Sequence, residues 1–179
     1  MTQYIALIRG INVGGKNAVS MTRLKETLLN NGFENVSSYI NSGNIIFDSE
    51  ETDLTKLVAT FENILFSKFA VTTRVAVLSV KEIHDSWKHA PKWWGQDSNS
   101  KHNAIFVIAP ADAQEVAAGV GDAKPEYENI DVYNHVIFWS APLDTFSRTR
   151  WSKIVSTSEY DKITIRNFNT TKKLVDLTT

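Results

Sequence analysis

A mainly antiparallel α+β fold made of two similar halves is predicted by three observations. Apolar runs and turn signals over residues 3–79 alternate in the order β-α-β-β-α-β, the split βαβ pattern of ferredoxin-like folds. The same order recurs over residues 102–179, with one further helix at the end. The first strand is apolar on both parities, as a strand covered on both faces must be. That pattern fits a sheet that gives one face to its own helices and leaves the other for the partner half. Residue identity between the halves is slight, so the duplication rests on element order alone. The expected organisation is a first half over residues 1–79, a connector over 80–101 and a second half over 102–179. The two packed halves can also count as one compact domain.

Each element has a local reason. Tyr4 to Arg9 reads as a strand, with Tyr4, Ala6 and Ile8 on one face and Ile5 and Leu7 on the other. Ser20 is placed to cap a helix whose apolar stripe is Met21, Leu24, Leu28 and Leu29, and Asn31-Gly32 is placed to end it. Val36 to Ile40 and Asn44 to Asp48 flank Asn41-Ser42-Gly43, a hairpin signal. Leu54, Leu57, Val58, Phe61, Ile64 and Leu65 recur at helical spacing, and Thr73 to Leu78 reads as a strand. Val80 to Lys88 predicts a short helix, and Ala90 to Ser100 an irregular loop. In the second half, Ala104 to Ala109 reads as a strand and Ala111 to Val120 as a weak helix. Tyr127 to Val132 and Val136 to Ser140 form a hairpin across Tyr133-Asn134-His135. A helix over Phe146 to Ser156, a strand over Lys162 to Arg166 and a last helix from about Thr170 to Leu177 complete the order.

Composition narrows the function classes. Of 179 residues, 42% are hydrophobic and 22% charged, which is ordinary for a globular protein and excludes disordered and fibrous classes. The formal net charge of -1 exerts no global pull toward nucleic acid or membrane. With no cysteine, a disulfide framework, a zinc–thiolate site and a thiol nucleophile are excluded. No cationic, apolar leader opens the chain and no apolar run approaches the ~18 residues of a membrane span, so the expectation is a cytoplasmic protein. Charge is uneven, however. Residues 109–144 carry seven acids against one base, Lys124, whereas residues 146–173 carry seven bases against two acids. The basic segment is either a set of solvated faces or a phosphate-facing patch.

The most function-like stretch is Arg9-Gly10-Ile11-Asn12-Val13-Gly14-Gly15-Lys16-Asn17, which lies between the first strand and the first helix. A glycine-rich loop before a helix can turn backbone N–H groups toward an anion. The split βαβ order also places it beside the first hairpin turn, because the first two strands run the same way. The candidate ligand-binding set is therefore Arg9, Asn12, Gly14, Gly15, Lys16 and Asn17 with Asn41, Ser42 and Asn44. Arg9 or Lys16 would supply charge, and the Asn and Ser side chains neutral donors and acceptors. The plainer account is that the glycines make turns and the Asn side chains satisfy local backbone. The loop is neither a Walker A sequence nor a G-x-G-x-x-G fingerprint.

A second candidate surface combines Arg148, Arg150 and Lys153 with Arg166, Asn167, Asn169 and Thr170. On a helix, Arg150 and Lys153 share a face and Arg148 and Arg150 do not. Asn167 or Asn169 can cap the last helix, which explains both without a ligand. Five Trp residues, at 87, 93, 94, 139 and 151, are many for this length. Trp93 and Trp94, near Lys88, His89 and Lys92, could stack single-stranded nucleic acid, but packing within the loop accounts for them more simply. The histidines, at 84, 89, 102 and 135, have no ligand-like spacing with carboxylates, so no metal and no cofactor are expected.

Several of these motifs together resemble a known family. Tyr4-Ile5-Ala6-Leu7-Ile8-Arg9-Gly10-Ile11-Asn12-Val13-Gly14-Gly15-Lys16-Asn17 is similar to the opening of the bacterial domain-of-unknown-function family numbered 1697. Tyr39-Ile40-Asn41-Ser42-Gly43-Asn44, His102-Asn103-Ala104-Ile105-Phe106 and Ser147-Arg148-Thr149-Arg150-Trp151-Ser152-Lys153 resemble it too. So does Thr164-Ile165-Arg166-Asn167-Phe168-Asn169-Thr170, where the family usually has Trp in place of Phe168. The likeness runs in order along nearly the whole chain. It implies a bacterial, cytoplasmic protein of two ferredoxin-like halves, and it brings no activity or catalytic residues with it.

The expected function is binding of a phosphate-bearing ligand, a nucleotide or a nucleic acid, at the glycine-rich loop, with the basic 146–173 segment as a second contact. The alternatives are a small enzyme that uses the same cleft and a module that binds a protein partner.

Overall fold

The computed structural model describes residues 1–179. The chain divides into two compact units, Met1–Glu82 and Ile83–Thr179. In the first unit the order is β1 (Thr2–Ile8), α1 (Met21–Asn30), β2 (Glu34–Tyr39), β3 (Asn44–Ser49), α2 (Leu54–Phe69) and β4 (Val75–Ser79). Its four strands lie in the order β2-β3-β1-β4, every neighbouring pair antiparallel. β1 and β2 therefore run the same way, as a helical crossover between them requires. Ser20 caps α1 by accepting from the Arg23 N–H at 3.2 Å, and Asp53 caps α2. The stripe residues Leu24, Leu28, Leu57, Phe61 and Leu65 are buried. Phe61 meets Phe47 and Phe33, and Phe47 stacks on Tyr4, so this aromatic group joins α2 to the sheet. Tyr4 to Ile8 are all buried, in keeping with the doubly apolar sequence of β1.

The helix α3 (Val80–Lys88) crosses the boundary between the units. The second unit continues with β5 (Ser100–Val107), α4 (Ala113–Val120), β6 (Asn129–Tyr133), β7 (Val136–Pro142), β8 (Ile163–Asn167) and α5 (Phe168–Leu177). The strand order is β6-β7-β5-β8, again all antiparallel, and repeats that of the first sheet. One face buries Ile105, Val107, Ile137, Trp139 and Ile163 against Val116 and Val120 of α4 and against Trp151 and Ile154. On the other face Phe138 meets Trp94, which also meets Trp87 of α3 and Phe168 of α5. Trp94 is thus core of the second unit, and its indole N–H donates to the Asn103 carbonyl at 2.9 Å. Elements of the second unit itself therefore lie on both faces of this sheet.

One element differs from the sequence-based expectation. Phe146 to Ser156 forms no α-helix but two 3₁₀ segments, Phe146–Arg148 and Trp151–Ser156, and a third follows over Ser158–Lys162. The apolar spacing of Phe146, Trp151 and Ile154 suggested a helix, yet the carbonyls accept N–H groups three residues on, and hydroxyls share some of them. Thr149, Ser152, Ser156 and Thr157 each donate from the side chain to the backbone oxygen three residues earlier. Through those N–H bonds the chain runs in the tighter turns of 3₁₀ geometry.

Candidate functional site

The glycine-rich loop and the first hairpin turn do lie side by side. The Asn12 side-chain amide donates to the Asn41 carbonyl at 2.7 Å, and the Ile8 N–H to the Gly43 carbonyl at 2.8 Å. Much of the loop's polar chemistry is directed inward. Asn12 also donates to the Val19 carbonyl at 2.9 Å and accepts from the Val19 N–H at 2.7 Å. The Asn17 side chain donates to the Gly10 carbonyl at 3.2 Å. Asn44, fully buried, donates to the Tyr39 carbonyl at 3.1 Å and to the Ser42 hydroxyl at 3.3 Å. Gly14 and Gly15, at φ of +59° and +72°, form the tip of a small hairpin closed by the Lys16 N–H on the Val13 carbonyl. Both φ values suit a type I′ turn, which favours glycine. Lys16 stands exposed at this tip, and Arg9 is half-buried at the end of β1. Turn geometry and local hydrogen bonding thus account for the glycines and for Asn12, Asn17 and Asn44.

The second candidate surface separates into two places. Asn167 accepts from the Thr170 N–H at 2.8 Å and caps α5, so that donor is used within the protein. Arg166 donates to the Thr164 hydroxyl and the Ile165 carbonyl, each at 3.0 Å. Burial pushes its guanidinium down to about 10, which leaves it charged at neutral pH. Asn167 and Asn169 border a shallow polar cleft of about 420 Å³ shared with Asp97, Ser100 and His102. There His102 Nε2 donates to the Asp97 carbonyl at 2.6 Å, and Nδ1 bonds with the Ser140 hydroxyl at 2.5 Å. The Ser100 hydroxyl, and then the Asn99 N–H, hold the Asp97 carboxyl below its usual value.

Arg148, Arg150 and Lys153 go elsewhere. They line an open cleft of about 590 Å³ together with Lys124, Tyr127 and the hydroxyl residues Ser147, Thr149 and Thr157. Without a regular helix, the prohibition on Arg148 and Arg150 sharing a face lapses. Thr149 is extended at φ −72° and ψ 154°, between the first two 3₁₀ segments, and both arginines border one concavity. The ion pairs of the protein lie at other residues, so none of these four cations forms a salt bridge with a carboxylate. The Lys124 ammonium donates to the Arg148 carbonyl at 3.1 Å and the Lys153 ammonium to the Ser147 carbonyl at 2.7 Å. Each ammonium retains further donors.

A buried carboxylate shapes this loop. Glu128, 3% exposed, accepts four N–H bonds. Its Oε1 takes Trp151 N–H at 3.1 Å and the Trp139 indole at 3.2 Å, and its Oε2 takes Arg150 N–H at 2.6 Å and Lys124 N–H at 3.1 Å. One side chain thereby fixes the backbone at both sides of the cleft. Gly121, at φ +101°, lets Arg150 lie against the main chain, since a Cβ there would stand 3.2 Å from Arg150 Cδ. Sequence reasoning missed Lys124, Tyr127 and Glu128. The usable signal was topological: the loop into β6 and the chain leaving β7 emerge at one sheet edge, and Lys124 is the single base of the acidic stretch.

Comparison with known proteins adds the family. The profile of a protein family of unknown function, DUF1697, matches residues 1–138. The chain belongs to this family. Among solved structures it is similar to the conserved bacterial protein SP0830 from Streptococcus pneumoniae, at 33% identity, 98% coverage of each chain and a TM-score of 0.86. No curated protein matches the chain. DUF1697 thus carries the fold to this chain and assigns no ligand. No helix of the chain is long and apolar enough to cross a membrane.

Proposed function

We propose that this DUF1697 protein binds a phosphate-bearing ligand in the basic cleft of its second unit. One observation carries the reading: Lys124, Arg148, Arg150 and Lys153 border a single concavity with no carboxylate paired to any of them. Gathering four like charges costs repulsion, and an anion that lies among them offsets that cost. Arginine forks and lysine ammonium groups suit phosphate oxygens, and exposed Ser147 adds a neutral donor. The backbone beneath is fixed through Glu128, so little ordering is left for binding to accomplish.

The lining offers lysine, arginine, tyrosine and hydroxyl groups, all of them able to donate to an anion. The glycine hairpin is the weaker candidate, because its Asn side chains are engaged with their own backbone.

A thermal-shift screen with phosphate, nucleotides, sugar phosphates and short oligonucleotides tests this. A ligand at a hundred times its Kd adds ~2.7 kcal/mol of stability. The shift is expected to survive Arg9→Ala and to vanish in Arg148→Ala/Arg150→Ala. A shift lost in Arg9→Ala instead moves the site to the glycine loop, and no shift in the wild type overturns the reading.

A further inference from the structure

We infer that the cleft takes one compact nucleotide, its phosphates among the cations and its base on Tyr127, rather than a passing nucleic-acid strand; this rests on the anion-binding reading above. Two observations carry it. The first is Tyr127, half-buried in the cleft wall. Its backbone N–H bonds to the Lys124 carbonyl, and its ring and hydroxyl take part in no hydrogen bond, ring stacking or cation–π contact within the protein. An aromatic ring with no stacking partner of its own, in the wall of a cleft lined by cations, is what a ring-bearing phosphate ester requires, since every base offers a π-face for stacking. The phenol hydroxyl remains available to donate to or accept from a polar ring edge.

The second observation is the narrow extent of the positive region. Asp122 and Glu126 are both exposed and each lies two residues from Lys124, hence within ~7 Å of it along the chain. Asp144, also exposed, stands four residues before Arg148. A strand carrying a phosphate at every nucleotide would leave the cations and meet these carboxylates, whereas a mono- or diphosphate keeps its charge inside the cleft. The volume of about 590 Å³ falls within the ~300–1,000 Å³ of small-molecule sites. A nucleic-acid groove needs cations spaced along a track, each releasing counterions, and here the four cations border one cleft.

Isothermal titration of the full chain with pyrophosphate, ADP and an oligothymidylate of about twelve bases decides between the possibilities. Stacking on an aromatic ring should make ADP bind about tenfold tighter than pyrophosphate, or more. Tyr127→Ala should abolish that margin, and Tyr127→Phe should keep it. Equal affinity for ADP and pyrophosphate, with both tyrosine variants silent, overturns the nucleotide inference and leaves anion binding standing. An oligonucleotide that binds tighter than ADP, with affinity rising with length, overturns it in favour of a strand. If neither ADP nor pyrophosphate binds, the anion-binding reading itself fails.

Discussion

Replacing Glu128 by Gln should unfold the second unit far more easily while leaving the first untouched. The carboxylate is 3% exposed and accepts four N–H groups, two on each oxygen. Gln keeps one oxygen and turns the other into a donor. Whichever way the amide is oriented, two N–H groups then face an NH₂ group in a buried site. Each orphaned donor costs ~1–3 kcal/mol, and the two surviving bonds weaken as they lose their charge assistance. Relief from burying the carboxylate returns part of this, so a loss of ~3–5 kcal/mol is expected against a total stability of ~5–15 kcal/mol. The assay is built into the sequence: Trp87, Trp93, Trp94, Trp139 and Trp151 all lie in the second unit. Urea denaturation followed by Trp fluorescence therefore reads that unit alone, and far-UV circular dichroism reads both. The fluorescence midpoint should fall sharply, with a second, unshifted transition left in the dichroism. A loss under about 1 kcal/mol would refute the argument that Glu128 organises the cleft.

Other positions give independent checks. Asn12→Ala removes three hydrogen bonds and places Ala at a φ of +54°; a loss of ~2–4 kcal/mol is expected, visible in dichroism and silent in Trp fluorescence. Gly95→Ala would set a Cβ 2.1 Å from Phe168 Cε2 at a φ of +83°, so the fluorescence midpoint should drop as the Trp87–Trp94–Phe168 group is forced apart. Ser100→Ala removes the bond that does most to hold down the Asp97 carboxyl, and NMR titration should show that group rising toward its ordinary value. The sign follows: a depressed folded-state pKa stabilises above the ordinary carboxylate range and is lost as pH falls through the folded value, so the variant should show less acid-linked destabilisation.

Much of the fold was legible because it rests on periodicity. Tyr4 to Ile8 announced a strand buried on both faces, the helical spacing from Leu54 to Leu65 announced α2, and Asn41-Ser42-Gly43 announced the turn. Parallel travel of β1 and β2 then brought residues 9–17 beside that turn, as the Asn12–Asn41 hydrogen bond shows. The 3₁₀ run after β7 escaped because the apolar spacing of Phe146, Trp151 and Ile154 does not encode which carbonyl each N–H reaches. The site was legible only in part for the same reason. Arg148, Arg150 and Lys153 stood out by charge, but helical reasoning set Arg148 and Arg150 apart. Lys124 and Tyr127 reach the cleft from a loop some twenty residues upstream, and Glu128 holds its backbone from below, through a juxtaposition that only the folded sheet edge supplies.

The central claim is the location of an anion site, and backbone amide NMR tests it most directly. Titration of the labelled full chain with ADP should move the resonances of residues 121–128 and 147–157 and leave those of 9–17 and 41–44 in place. Movement confined to the glycine hairpin and its neighbouring turn would contradict the account.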